Sequence, residues 1–234
     1  MLKNANVEKI LSKSRYNFDD LCLILEILRG KGGCPWDAEQ THESIRKNFI
    51  EETYEVIEAI DTKDTALLRE ELGDVMLQVV FHTQMEKELG HFDINDVAHD
   101  VCAKLVHRHP HIFGDIVAGT SDEVLSNWEA IKNVEKSRDT LYDKLNSIPP
   151  MTPALMRAEK VSKKSGEYKS LSQTELVESI QSVLNTLNNE SIADSAQKLG
   201  EALFLMSALS SKIGIDAEEA LFKYTNDFIE QYKD

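Results

Sequence analysis

The sequence predicts an all-α protein, and three observations carry that prediction. Apolar residues recur at helical spacing through several long segments. Few segments alternate with period two, and aromatic residues make up only 7% of the chain, so strands have little to be built from. Proline is scarce, and three of its five occurrences lie together at Pro149, Pro150 and Pro153. At 234 residues and 41% hydrophobic content, the chain can build one large or two small domains with a packed core.

The elements follow in order. A first helix is expected from about Asn17 to Arg29. Its apolar residues are Leu21, Ile24, Leu25 and Leu28, and Gly30 stands just past its end. A loop, Gly30 to Asp37, contains Gly32-Gly33 and Pro35. The next helix, about Thr41 to Ile60, carries an apolar stripe at Ile45, Phe49, Val56, Ile57 and Ile60. A short break at Asp61–Thr65 folds the following helix, Ala66 to Leu89, back antiparallel. Another helix starts near Asp93 and must end before Pro110. A capping box at Thr120-Ser121-Asp122-Glu123 opens a helix running through Trp128 and Ile131 to about Lys136. From Ser137 to Pro153 periodicity is lost and proline gathers, which reads as a linker. The expected organisation is therefore an N-terminal domain over 1–136, a linker over 137–153 and a C-terminal domain over 154–234.

The chemistry gathers in two acidic clusters one helix apart, Glu51-Glu52-Thr53-Tyr54-Glu55 and Glu71-Leu72-Gly73-Asp74. The second lies in a helix that is apolar almost all round, with Glu71, Asp74 and Gln78 on one narrow stripe. Such a helix is expected to be buried. Carboxylates there must be neutral, paired or bound to a metal, because an isolated buried charge is too costly. Glu52 and Glu55 sit three apart at the edge of the preceding helix's stripe, so they are neighbours. The antiparallel turn lets them face Glu71 and Asp74. Four carboxylates in one pocket repel unless a cation holds them, and all-oxygen ligation suits magnesium or manganese. Taken alone, Glu51-Glu52-x-x-Glu55 reads as a solvated face; with the second cluster at this spacing, a metal site is the stronger reading.

The formal net charge of −15 argues against a nucleic-acid polymer as partner, since phosphate backbones are met by surplus Lys and Arg. It leaves open a small phosphorylated substrate arriving with divalent metal. No stretch approaches the length of a membrane span, and the N-terminus lacks an apolar signal core. Cys22, Cys34 and Cys102 show no metal-ligand spacing and read as free thiols in a reducing compartment, hence cytoplasm. Gly30-Lys31-Gly32-Gly33 lacks the spacing of a Walker-type phosphate loop. His107, His109 and His111 alternate across Pro110, which suits a structural turn better than zinc.

The second half reads as a faded copy of the first. At an offset of 127, Val56, Ile57 and Ile60 meet Val183, Leu184 and Leu187, and Leu72-Gly73 meets Leu199-Gly200. The acids do not carry over: Glu52 meets Ser179, Glu55 meets Ser182, Glu71 meets Lys198 and Asp74 meets Glu201. The copy should fold similarly and hold no comparable metal cluster. Two units suggest a duplicated domain rather than a solenoid.

With these residues in view, the chain resembles the MazG family of all-α nucleoside triphosphate pyrophosphohydrolases. Cys34-Pro35-Trp36-Asp37, Gln40-Thr41, Glu51-Glu52-x-x-Glu55 and Glu71-Leu72-Gly73-Asp74 carry the resemblance. So do His107-Arg108-His109-Pro110-His111-Ile112-Phe113, Trp128-Glu129-x-Ile131-Lys132 and Pro153-Ala154-Leu155-Met156-Arg157-Ala158. The resemblance implies tandem helical repeats, an intertwined homodimer, Mg2+ with Mn2+ as a substitute, and cleavage of an NTP to NMP and pyrophosphate in nucleotide-pool house-cleaning. It implies metal ligation by Glu52, Glu55, Glu71 and Asp74, and a catalytic role beside them for Glu51, which would hold a metal-bound or attacking water. Trp36 is a candidate for stacking on the base, or else a hydrophobic plug. Arg108 and Lys132 are candidate phosphate contacts, or else partners in surface ion pairs. Gly166-Glu167-Tyr168 stands where the family often has Gly-Phe-Asp-Trp, so activity is expected in the N-terminal repeat. A non-catalytic nucleotide-sensing or scaffolding dimer, an enzyme acting chiefly on guanosine tetra- or pentaphosphate alarmones, and a purely structural acidic bundle remain alternatives at this point.

Overall fold

A computed structural model describes residues 5–135, 140–187 and 191–233. Among these the chain forms thirteen α-helices and no strand. Contacts divide it into two compact units, 1–117 and 118–234.

The first unit opens with α1 (Ala5–Leu11) and α2 (Phe18–Arg29). Asn17 and Asp20 close a reciprocal capping box on α2, which starts the helix one residue inside its expected boundary. Helix α3 (Pro35–Glu39) lies where part of a loop was expected. Proline at the first helical position presets the backbone for it. Helices α4 (His42–Thr62) and α5 (Thr65–Leu89) form the long antiparallel pair at the centre of the unit. Their joint is tight: Lys63 takes a left-handed conformation, and the Asp64 carboxylate accepts from the Ala66 and Leu67 amides. Leu25, Ile45, Val80, Phe81 and Met85 make the core that binds α2 to this pair. Helix α6 (Ile94–Arg108) and the short α7 (Pro110–Phe113) meet at His109, whose ring Nδ1 bonds the Leu105 carbonyl, so the histidine-rich segment is a helix joint.

One expectation is corrected here. Helix α5 is not enclosed all round: Glu71 is 8% exposed, but Leu72 is 49% and Met76 44% exposed. On α4, Ile57 and Ile60 are likewise open, while Ala59, absent from the expected stripe, is buried. Helices α2 and α4 cover α5 at Val80, Phe81 and Met85 and leave Leu72 and Met76, nearer its start, open.

The second unit holds α8 (Ser121–Glu135), α9 (Leu141–Asn146), α10 (Ala154–Ser165), α11 (Gln173–Thr186), α12 (Ile192–Lys212) and α13 (Ala217–Glu230). Lys136 lies outside the described residues. Helix α9, capped by Thr140 and Asp143, is too short to leave a periodic signature within 137–153. Its core is Leu176, Ile180, Val183, Ala202 and Leu205, between α11 and α12. That pair leaves Leu199 and Leu203 open, at the positions aligned with Leu72 and Met76. Among the described residues no helix is long and apolar enough to cross a membrane.

Candidate active site

The α4–α5 pairing brings the two acidic clusters together. One carboxylate oxygen from each of Glu52, Glu55 and Glu71 lies within 4.8 Å of the others. Helical spacing sets Glu52 beside Glu55 on α4, and the tight turn at Lys63 sets Glu71 opposite them. Asp74 lies one turn further along α5, close enough for its charge to act on both Glu52 and Glu71. Glu51 is exposed beside the cluster.

The electrostatics are those of uncompensated anions. Burial pushes the Glu52 carboxyl above the usual carboxylate range; a shared hydrogen bond with Glu55 and the charges of Asp74, Glu55 and Glu71 push it the same way. Glu71 is raised first by burial, then by the charge of Glu55 and a hydrogen bond with it, then by Asp74 and Glu70. No Lys or Arg is among the main causes of either shift. An all-oxygen donor set that resists ionisation without a counter-charge fits a hard divalent cation.

Trp36 is 60% exposed on α3, so its ring is available rather than plugged into the core. Its loop is held by a residue that the sequence did not single out. Arg29, at the end of α2, donates to the Asp37 carbonyl at 2.6 Å and the Gln40 carbonyl at 3.1 Å. It also makes two bonds to the Glu88 carboxylate, at 3.0 and 2.8 Å, and its guanidinium lies over the Phe81 ring. Burial pushes Glu88 up, yet the bonds from Arg29 and Gln84 leave it below its ordinary value. Gly33 brings the loop against the last turn of α2: a Cβ there would lie 2.3 Å from the Ile27 and Leu28 carbonyl oxygens. The Gly-Gly dipeptide was the available signal for that close approach.

Arg108 is 7% exposed, buried at the end of α6. Lys132 lies on α8 in the second unit and pairs with Glu129 at 3.7 Å.

Further along the α4–α5 pair lies a second network the sequence did not reveal. The His42 Nε2 bonds the Glu86 carboxylate at 2.7 Å, and His42 Nδ1 lies 2.7 Å from His82 Nδ1. His91 binds the other Glu86 oxygen at 2.7 Å. Bonds from His91 and His42 hold Glu86 below its usual value; burial, with the His42 charge, lowers His82. Gln78, buried between this network and Asp74, leaves its Oε1 without a hydrogen-bond partner. His42 and His82 are forty residues apart, so only the folded pairing shows them together.

At the aligned positions of the second unit, the chemistry is different. Lys198 pairs with Glu201 at 3.5 Å, and the Ser179 hydroxyl turns back to the Glu175 carbonyl.

A family model described as the MazG nucleotide pyrophosphohydrolase domain matches residues 40–113, the segment that holds both acidic clusters. A nucleoside triphosphate pyrophosphohydrolase/pyrophosphatase MazG of Thermotoga maritima is 38% identical over 219 residues, covering 92% of this chain and 84% of its own. The chain belongs to the MazG family. A nucleoside triphosphate pyrophosphohydrolase of Escherichia coli K12 is also 38% identical, over 92% of this chain and 86% of its own. Bacillus subtilis YabN, described as uncharacterized, is 46% identical over 63% of this chain and 30% of its own. The MazG match at 40–113 begins after Trp36 and includes Arg108.

Proposed function

We propose that this MazG protein hydrolyses nucleoside triphosphates to NMP and pyrophosphate with Mg2+, at the α4–α5 acid cluster of a homodimer. The observation that carries the reading is the convergence of Glu52, Glu55 and Glu71 within 4.8 Å, inside the segment matched by the family. Glu52, Glu55, Glu71 and Asp74 would hold the cation. When bound, the metal supplies Lewis-acid stabilisation of charge on phosphate oxygens.

The rest falls to the chain itself. Glu51, exposed beside the cluster, orients a water and takes its proton as that oxygen attacks the α-phosphorus. The new P–O bond forms as the bond from the α-phosphorus to the bridging oxygen breaks, and pyrophosphate leaves. Trp36 offers a ring face to the base, on a loop that Arg29 holds in place. Arg108, buried at the end of α6 in the same unit as the acids, is assigned a secondary phosphate contact; Lys132 belongs to the other unit, where its ammonium pairs with Glu129. The open apolar residues Leu72, Met76, Ile57 and Ile60 beside the acids support a second copy as the missing cover. We assign the active site to the N-terminal repeat, and read the second unit as its degenerate copy, supported by the Lys198–Glu201 pair at the aligned positions. The free thiols fit a cytoplasmic setting, and the acidic chain fits free nucleotides rather than a nucleic-acid polymer.

The test is phosphorus NMR of the purified chain with Mg2+ and a panel of NTPs, beside a Glu52→Ala, Glu55→Ala double variant. NMP plus pyrophosphate from the wild type alone is expected. Stepwise release of orthophosphate, or equal turnover by the double variant, would overturn the assignment.

A further inference from the structure

A cavity of about 460 Å³ opens in the second unit between α9, α10 and α12. Its polar lining is Tyr142, Asn146, Thr152 and Arg157; the remainder is apolar, with Phe204 its other aromatic. Among the described residues no carboxylate lines it, although the chain carries 41 acidic residues against 26 Lys and Arg. The volume and the balance of a mostly apolar wall with a few polar groups are those of small-molecule sites.

Arg157 decides the ligand's charge. Its Nε is buried without a hydrogen-bond partner, and among the described residues the guanidinium makes no ion pair. Arg157 is half-buried, but its Nε is covered, and a covered donor left unpaired calls for an explanation. A merely structural arginine in so acidic a chain would be expected to find a carboxylate; the nearby Glu218 instead accepts from the Met156 amide at 3.4 Å. Arg157 also stands in the first turn of α10, where Pro153 provides no side-chain cap and Thr152 and Ala154 reach the cavity wall. The positive end of the helix therefore adds to the guanidinium.

We propose that this cavity binds a phosphate monoester carrying an aromatic body, the chemistry of a nucleoside monophosphate. The forked guanidinium, the Thr152 hydroxyl and the Asn146 amide spread their donors over several directions, which the three oxygens of a phosphate monoester meet more fully than the two in-plane oxygens of a carboxylate. Phe204 and Tyr142 supply aromatic surface for the ring. The site is separate from the acid cluster, since every lining residue belongs to the second unit. If the proposed reaction holds, its own NMP product is of this class. Binding here does not require that it does.

The experiment uses the full chain in EDTA, which removes metal-dependent binding at the acid cluster. AMP is titrated by calorimetry, with inorganic phosphate as head alone and adenosine as body alone. AMP should bind at least tenfold more tightly than either fragment. Arg157→Gln should weaken it at least tenfold, and so should Ala158→Leu, which fills the cavity while keeping the arginine. Glu52→Gln should leave AMP binding unchanged, so failure of the catalytic reading stays distinguishable. Phenylglyoxal labelling, read by mass spectrometry, should modify Arg157 and be blocked by AMP. Absence of AMP binding, or binding that both cavity variants retain, overturns the proposal. Protection of Arg157 by raised protein concentration alone also overturns it, giving the cavity to a second copy.

Discussion

Glu52→Gln should raise the stability of the metal-free protein and lower that of the metal-bound one. Glu52 faces Glu55 and Glu71 with oxygens within 4.8 Å. Two unit charges about 4 Å apart repel by about 1 kcal/mol in water and more in the interior. Glu52 is only partly buried, so the water-like value is the appropriate one, and salt screens it further. Neutralising it removes two such repulsions, for a gain of about 1–2 kcal/mol. In a chain of this size that raises Tm by about 2–8 °C, at the low end for a gain of 1 kcal/mol. The sign with pH follows from the raised carboxyls of Glu52 and Glu71. A folded-state value above the unfolded one means that stability is lost as pH rises from the ordinary value of 4.5 through the raised one. The variant's advantage should therefore be absent near pH 4 and full above the raised values. With Mg2+ the order reverses, because the wild type gains binding free energy that the variant has lost. Differential scanning calorimetry at several pH values, in EDTA and in Mg2+, reads all of this. A Glu52→Gln protein no more stable than wild type in EDTA at neutral pH would refute the electrostatic account of the cluster.

Arg29→Ala should lose about 2–3 kcal/mol with its bonds to Glu88 and the loop carbonyls, and raise KM more than it lowers kcat, because it frees the loop bearing Trp36; an unchanged KM counts against Trp36 as a substrate contact. Leu25→Ala, at 1% exposure in the first core, should cost about 2–5 kcal/mol by chemical denaturation, and a loss under 1 kcal/mol would mean that the core is misassigned. For His82, folded-state lowering predicts stability lost as pH falls below about 6.5, where the unfolded chain takes up the proton first; Glu86, lowered as well, extends the loss as pH falls below 4.5. His82→Phe should flatten the upper part of that profile, and an unaltered profile would remove His82 from it.

What the sequence disclosed, and what it withheld, divides along physical lines. Helices α2, α4 and α5 were legible because each carries a periodic apolar pattern and a cap: Asn17, Thr41 and Asp64 sit where local chemistry places them. The meeting of Glu52 and Glu55 with Glu71 was legible too, since a short turn between long helices fixes their register. Burial around α5 was not. Leu72 and Met76 are apolar as a core residue is, and composition does not say whether this chain or another surface covers them. Arg29 was missed because its role depends on Glu88 and two backbone carbonyls brought in from elsewhere. His42 and His82 escaped for the same reason, being isolated histidines until α4 lies against α5. The Arg157 cavity needs three helices and the segment before α10, and the Pro153–Ala158 run that supplies part of its wall was legible only as part of the family resemblance.

The exchange of Glu71 for Lys198 has a consequence for how the two helix pairs respond to the solution around them. If a cation fills the α4–α5 acid cluster as proposed, the balancing positive charge comes from outside the chain, and that pair answers to the supply of dissolved ions. In α12 the charge is written into the polypeptide, as a lysine one turn from Glu201. Chelation, dilution or competition among ions should therefore soften one helix pair and leave the other at its usual firmness. A melt recorded during magnesium depletion would then show two halves parting company, the one bearing the acid cluster first.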